Sequence, residues 1–203
     1  MTDDSVAKAY EQTPLLAFSW GTCLQLQILR ETAAEIRSLI AAGVKPDGPW
    51  DGNSLSRAQG QFWLWVLGAY EVLRTMAQAS SRFAPELHDR ITLEKRHFNQ
   101  IRIPFAKQER AGARNGDATS TWREVFSLGY KSDGDIIFSI GGTEFCAKEL
   151  MDRFELFIKS IKRQEVLQSH EQFFQLQGAN AAQQRAAADV PAAAASPLRQ
   201  GRS

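Results

Sequence analysis

Apolar side chains recur along this chain at two periods, which divide it into helices and a short β element. From Leu15 to Ala42 the residues Leu15, Leu26, Leu29, Ala33, Ile36 and Ile40 mark one face of a helix, and Gly43 marks its end. A second helix is predicted from Ser56, whose spacing to Gln59 makes a capping box, to about Ala79. Its middle, QFWLWVLGAYEVL, is apolar on nearly every side, so it is the predicted central helix. Trp63, Trp65 and Tyr70 there read as core rather than as platforms for stacked bases, and Gly68 as a place where another helix comes close. In the third run, Pro85 to Glu109, Leu87, Ile91, Phe98, Ile101 and Phe105 fall within roughly 80° of one another. Pro85 suits a first helical turn, whereas Pro104 predicts a kink around Ile101–Ile103 or an early stop.

The period then changes. Trp122, Phe126, Leu128 and Tyr130 alternate with polar or small residues, as do Ile136, Phe138 and Ile140, and KSDGD between them carries an Asp-Gly turn signal. A β-hairpin is predicted over about 121–140. After Gly141-Gly142, Thr143 is expected to cap a last helix with the stripe Leu150, Phe154, Phe157, Ile158 and Ile161, extending as far as about Gln177. The predicted class is therefore mainly α: a four-helix-bundle-like domain with a hairpin inserted before the last long helix. Residues 1–12 are polar and expected to fray, 13–177 form the single domain, and 178–203 are alanine-rich, without aromatics, and expected to be disordered. Trp50, in a Pro/Gly loop, is expected to tuck against the core.

At 203 residues and 43% hydrophobic content the chain can bury one sizeable core. A net charge of +1 favours no class of partner. Cys23 and Cys146 stand apart in apolar settings, which fits free thiols in a reducing compartment, and no zinc spacing occurs. The N-terminus lacks the pattern of a signal peptide, and the longest apolar run falls short of a membrane span. The expectation is a cytoplasmic protein with no membrane association, cofactor or metal.

Charge alters the picture of the third helix. Between Arg82 and Arg114 eight basic residues face four acidic ones, an excess that could attract phosphates or simply form a solvated face. Lys95, Arg96, Arg102 and Lys107 are the candidate binding residues. Arg90, Glu94 and His97, spaced i, i+4, i+7, point one way from the helix. A carboxylate near a core needs a partner, so the plain expectation is that Arg90 and His97 pair with Glu94. The alternative is a site in which His97 is tuned for acid–base or phosphate-binding work. No GxGxxG and no GxxxxGK[ST] is present. Gly141-Gly142 reads as a strand-to-helix turn before it reads as an anion site.

Arg90-ITLEKR-His97 on a late helix of a small bundle resembles the HEPN superfamily, whose members carry an Arg-x(4–6)-His motif. Arg82 with His88 and Arg163 with His170 satisfy the same pattern, and Ile91 departs from the polar residue the family favours after the arginine. An alternative alignment sets Arg102 and Lys107 on the motif, with lysine in place of histidine, as in a member without nuclease activity. The resemblance implies metal-independent RNA cleavage at a homodimer interface, with His97 in proton transfer and Arg90 steadying phosphate. Against it stands the reading preferred here: a non-catalytic binding or regulatory module that meets a protein or RNA partner through its basic third helix.

Overall fold

The computed structural model describes residues 3–44, 49–107, 126–132, 134–140 and 143–167, with the side chains of 3–7, 105, 107 and 126–128 excepted. The loop at 110–120, Trp122 of the hairpin, Gly141-Gly142, the extension 168–177 and the tail 178–203 lie outside the described residues. The chain is mainly α. It has a short helix α1 (Asp3–Gln12), then α2 (Trp20–Gly43), α3 (Gly52–Gln78) and α4 (Pro85–Lys107). Strands β1 (Phe126–Tyr130), β2 (Ile136–Ile140) and β3 (Thr143–Cys146) precede α5 (Ala147–Lys159). The three strands form one antiparallel sheet in the order β1-β2-β3. Among the described residues no helix is long and apolar enough to cross a membrane.

Trp65 is where the helices meet. Its indole Nε1 donates to the Leu29 carbonyl at 3.0 Å, joining α3 to α2. Its ring stacks on Phe62 at 6.0 Å, tilts against Phe98 of α4 at 6.1 Å and meets the edge of Phe154 of α5 at 5.5 Å. The sheet joins through Phe138, 5.6 Å from Phe62 and stacked on Phe145 at 5.4 Å. Leu87, Ile91, Phe98 and Ile101 are buried on α4, as the third stripe predicts, while the side chain of Phe105 is not described. Gly68 lets Leu29 approach closely: an added Cβ would lie 3.0 Å from Leu29 Cδ2.

Several boundaries differ from those expected. Asp3–Gln12 is helical where fraying was predicted, and Tyr10 at its end packs against the core beneath the guanidinium of Arg163. Helix α2 starts at Trp20, after a 3₁₀ turn at Pro14–Leu16, because Ser19 Oγ accepts from the Thr22 amide. Helix α3 starts at Gly52, upstream of the Ser56–Gln59 box, because the Asp51 carboxylate accepts from the Asn53 amide and the Ser54 hydroxyl. Helix α4 continues through Pro104 to Lys107, its proline buried together with Ile101.

Thr143 does not cap a helix. Thr143–Cys146 is a third strand, and Phe145 pairs with Phe138 across it. Phe and Thr fit the pleated surface of a sheet, and the cross-strand aromatic pair outweighs a first helical turn there. The start of α5 is held instead by buried Asp135, whose carboxylate accepts from the Lys148 amide at 3.2 Å. After Lys159 the chain turns back, and Val166 bridges to Phe83. Two tryptophans are less buried than expected: Trp63 is 38% exposed, and Trp50, 44% exposed, meets Tyr130 edge-on at 6.1 Å.

The hairpin turn depends on Gly134, whose φ is +77° and whose amide donates to the Lys131 carbonyl. A Cβ there would collide with Val44 Cγ2. Gly134→Ala is therefore expected to destabilise the fold by about 1–3 kcal/mol. Gly60→Ala, in open space on α3, is expected to stabilise it by about 0.5–1 kcal/mol. Urea denaturation of the two variants reads the difference.

Candidate functional site

Helix α4 turns one edge towards α5 and the segment that follows it, and Arg90, Glu94 and His97 lie along that edge. At helical rise the first and last of them are separated by about 10 Å along the axis. The guanidinium of Arg90 donates to Glu165 at 2.6 Å and to the Ser160 hydroxyl at 3.0 Å. One turn on, Glu94 is gripped bidentately by Arg153 of α5, at 2.9 and 2.8 Å. Only 12% of the Glu94 side chain is exposed, so this pair is well shielded on the acidic side. The expectation that Arg90 and His97 serve as Glu94's partners is thus corrected. The carboxylate does have an ion-pair partner, but it comes from another helix, and Arg90 joins α4 to the turn after α5.

His97 is half-buried between the rings of Phe98 and Phe145, at 6.0 and 5.9 Å. It opens on a cleft of about 380 Å³, also lined by Glu144, Phe145, Cys146, Glu149, Leu150 and Arg153. Burial is the main cause that pushes the imidazole pKa below its usual value. The positive charge of Arg153 adds to this, and Glu94 opposes it. The arrangement favours a neutral imidazole, able to accept or donate one hydrogen bond at the mouth of the cleft. The Glu94 bond in turn strengthens the hold of Arg153 on its proton. What the site does not bring together, among the described residues, is a histidine and an unengaged cation. Arg90 is fastened to Glu165 and Arg153 to Glu94.

The basic set divides as well. Lys95 is half-exposed and Arg96 exposed, and neither forms an ion pair among the described residues. Arg102, seven residues from Lys95 and therefore on nearly the same line of the helix, lies over the Tyr70 ring at 4.8 Å. The side chain of Lys107 lies outside the described residues. The other arginine–histidine spacings serve packing. Arg82 donates to the Phe18 carbonyl, His88 Nε2 lies 3.1 Å from the Ala77 carbonyl, and Arg163 donates to the Val166 carbonyl. His170 is outside the described residues.

Both thiols are free. Burial, partly offset by Arg30, pushes the Cys23 thiol up to about 11, so it remains un-ionised at neutral pH. Among the described residues no group of three or more His, Cys, Asp or Glu is placed to hold a metal ion. The sequence reading missed Arg153 and Glu165. A signal for the first existed: α5 carries Asp152, Arg153 and Glu155 together, an alternation that matches bases and acids on two neighbouring helices. Compared with known proteins, the chain matches no family, no curated sequence and no solved structure.

Arg153→Met leaves the shielded Glu94 carboxylate without its cation and is expected to cost about 1–3 kcal/mol of stability. Arg96→Met is expected to stay within about 0.5 kcal/mol of the parent. Restoration of most of the loss by Glu94→Gln on the Arg153→Met background, read by urea denaturation, identifies the pair as its source.

Because the folded His97 binds a proton less well than the unfolded chain, its stabilising contribution is complete above the ordinary histidine pKa of about 6.5. It is lost as pH falls through the lower folded value. The His97 ring protons are expected to titrate below that ordinary value by NMR. The stability difference between parent and His97→Gln is expected to shift in favour of the variant as pH falls from about 7 to 5.

Proposed function

We propose that the chain is a non-catalytic binding module that presents Lys95 and Arg96 of α4 to an acidic partner surface. One observation carries this reading. The charges of α4 fall into two groups: Arg90 and Glu94 are fastened to Glu165 and Arg153, whereas Lys95 and Arg96 have no ion pair among the described residues. Charges that hold helices together are costly to redirect, because release leaves a shielded partner without its counter-ion. Exposed cations on a rigid helix can meet phosphates or carboxylates with little reorganisation. Arg102 extends the line of Lys95 while its guanidinium rests on Tyr70.

The HEPN-like reading, a metal-independent ribonuclease acting as a dimer through Arg90, Glu94 and His97, has one observation in its favour. His97 stands at an open cleft with its imidazole kept neutral, as a general base requires. It also requires Arg90 to leave Glu165 before it could hold a phosphate, so it is the second reading.

Lys95→Glu with Arg96→Glu is expected to abolish binding to single-stranded RNA, or to an acidic protein partner identified by pull-down, with an unchanged melting temperature. A shift of labelled RNA that weakens steeply with salt assigns the partner to nucleic acid. A collapse of stability in the double variant would make the two cations structural and remove the proposal. RNA cleavage that is lost in His97→Ala would establish the ribonuclease reading in its place.

A further inference from the structure

Helix α2 exposes an apolar stripe that runs to a groove between α2 and α3. Trp20, Leu24 and Ile28 recur every fourth residue of α2, at 65%, 48% and 53% exposure, within about 80° of one another. Leu64 of α3 is 68% exposed and borders the same groove as Ile28. Ile28 and Leu64 border a groove of about 410 Å³ whose floor is Leu29, Trp65 and Gly68. The floor exists because Gly68 has no side chain and Trp65 is pulled inward to the Leu29 carbonyl. Four large apolar side chains along this stripe and its groove exceed the single exposed residues usual on a soluble surface.

The polar groups around the groove indicate the occupant. Glu35 and Glu71 line it, with no lysine or arginine among the lining residues. Arg57 approaches Glu35 to 3.7 Å and Arg74 binds Glu71 at 2.7 Å, but all four side chains are exposed, so both carboxylates stand in weak surface pairs that an incoming cation can exchange. The Thr32 hydroxyl proton is given to the Ile28 carbonyl and the Trp65 N–H to that of Leu29, so neither can be donated to a ligand. Gln61 Oε1 is buried at the groove and accepts no hydrogen bond. Apart from the amide groups of Gln25 and Gln61, the groove therefore offers oily walls and acceptors. Its complement is apolar along one line and rich in cationic donors beside it.

We infer that the α2–α3 groove is a docking site for a basic amphipathic helix of another protein. Its aliphatic side chains would lie along Ile28 and Leu64, and its lysine or arginine side chains would reach Glu35 and Glu71. A third helix laid in the groove between two packed helices repeats the packing of the domain itself and buries the stripe in one step. A second copy of this chain fits less well, because two-fold contact through the same face would set its carboxylates against themselves. The surface is separate from the basic face of α4, and neither depends on the other.

The test uses the full chain and two labelled helical peptides of about 18 residues, one of leucine and lysine with leucines at i, i+3, i+4 and i+7, the other with glutamate for every lysine. Fluorescence anisotropy is expected to show the lysine peptide binding about tenfold or more tighter than the glutamate peptide. Ile28→Glu with Leu64→Glu, both at exposed positions, is expected to remove that binding while the melting temperature holds. Glu35→Lys with Glu71→Lys is expected to reverse the preference between the peptides. Equal affinity for both peptides, or lysine-peptide binding that survives Ile28→Glu with Leu64→Glu, overturns the inference. So does a dimer in analytical ultracentrifugation that the same pair of substitutions splits, since the occupant is then a second copy.

Discussion

The fold depends on one indole. Trp65 is 2% exposed, gives its N–H to a carbonyl of α2, and touches a phenylalanine from α3, α4 and α5 in turn. A buried indole without an acceptor is expensive, and the Leu29 carbonyl is available only where α2 lies close against α3. Gly68, one turn further along α3, permits that approach. Hydrogen bond, close packing and aromatic contacts thus all require the same arrangement of four helices. The sheet is secured to it through Phe62, Phe138 and Phe145, which continue the aromatic column out to His97.

Around this centre, α5 is fastened by charge. Its Asp152 and Glu155 meet Arg37 and Arg30 of α2, and its Arg153 meets Glu94 of α4. Exposed pairs of this kind contribute little each, but they fix the rotation of a helix whose apolar stripe is short. Glu94 differs because it is the most shielded acid among these three pairs. Its need for a partner determines where Arg153 points, and Arg153 in turn adds to the forces that keep His97 neutral. The chemistry at the cleft is therefore a by-product of the bracing. An imidazole beside a fastened arginine has a depressed proton affinity but, among the described residues, no unengaged cation to work with.

Much of the architecture was legible in the chain. Leu87, Ile91, Phe98 and Ile101 follow the helical period so closely that their burial could be read directly, and the alternation about the Asp-Gly signal marked the hairpin. The misread boundaries were those where two local signals competed and a particular side-chain contact decided between them. Thr143 was a plausible cap until Phe145 found Phe138, and Ser56–Gln59 was a plausible start until Asp51 bound Ser54. Local propensity has no access to such contacts. The candidate site was less legible than the fold for the same reason. Arg90, Glu94 and His97 share a helical edge, as spacing required. Their partners, Glu165, Arg153 and Phe145, come from 75, 59 and 48 residues away respectively.

Exposure was the other quantity that spacing could not supply, and it separates the two surfaces of interest. A hydrophobic period says that a face is apolar, not that anything covers it. Leu26 and Leu29 of α2 are covered by the rest of the bundle, whereas Leu24 and Ile28, from the same run, are not. The α2 run is apolar over more of its circumference than the domain can bury. Helix α4 has the opposite balance: Lys95 and Arg96 lie off a fully buried apolar stripe. The fold gains nothing in stability from an exposed stripe beginning at Trp20. The excess of apolar surface is what the proposed docked helix would cover, and the carboxylates along its edge are what would give that contact a sign.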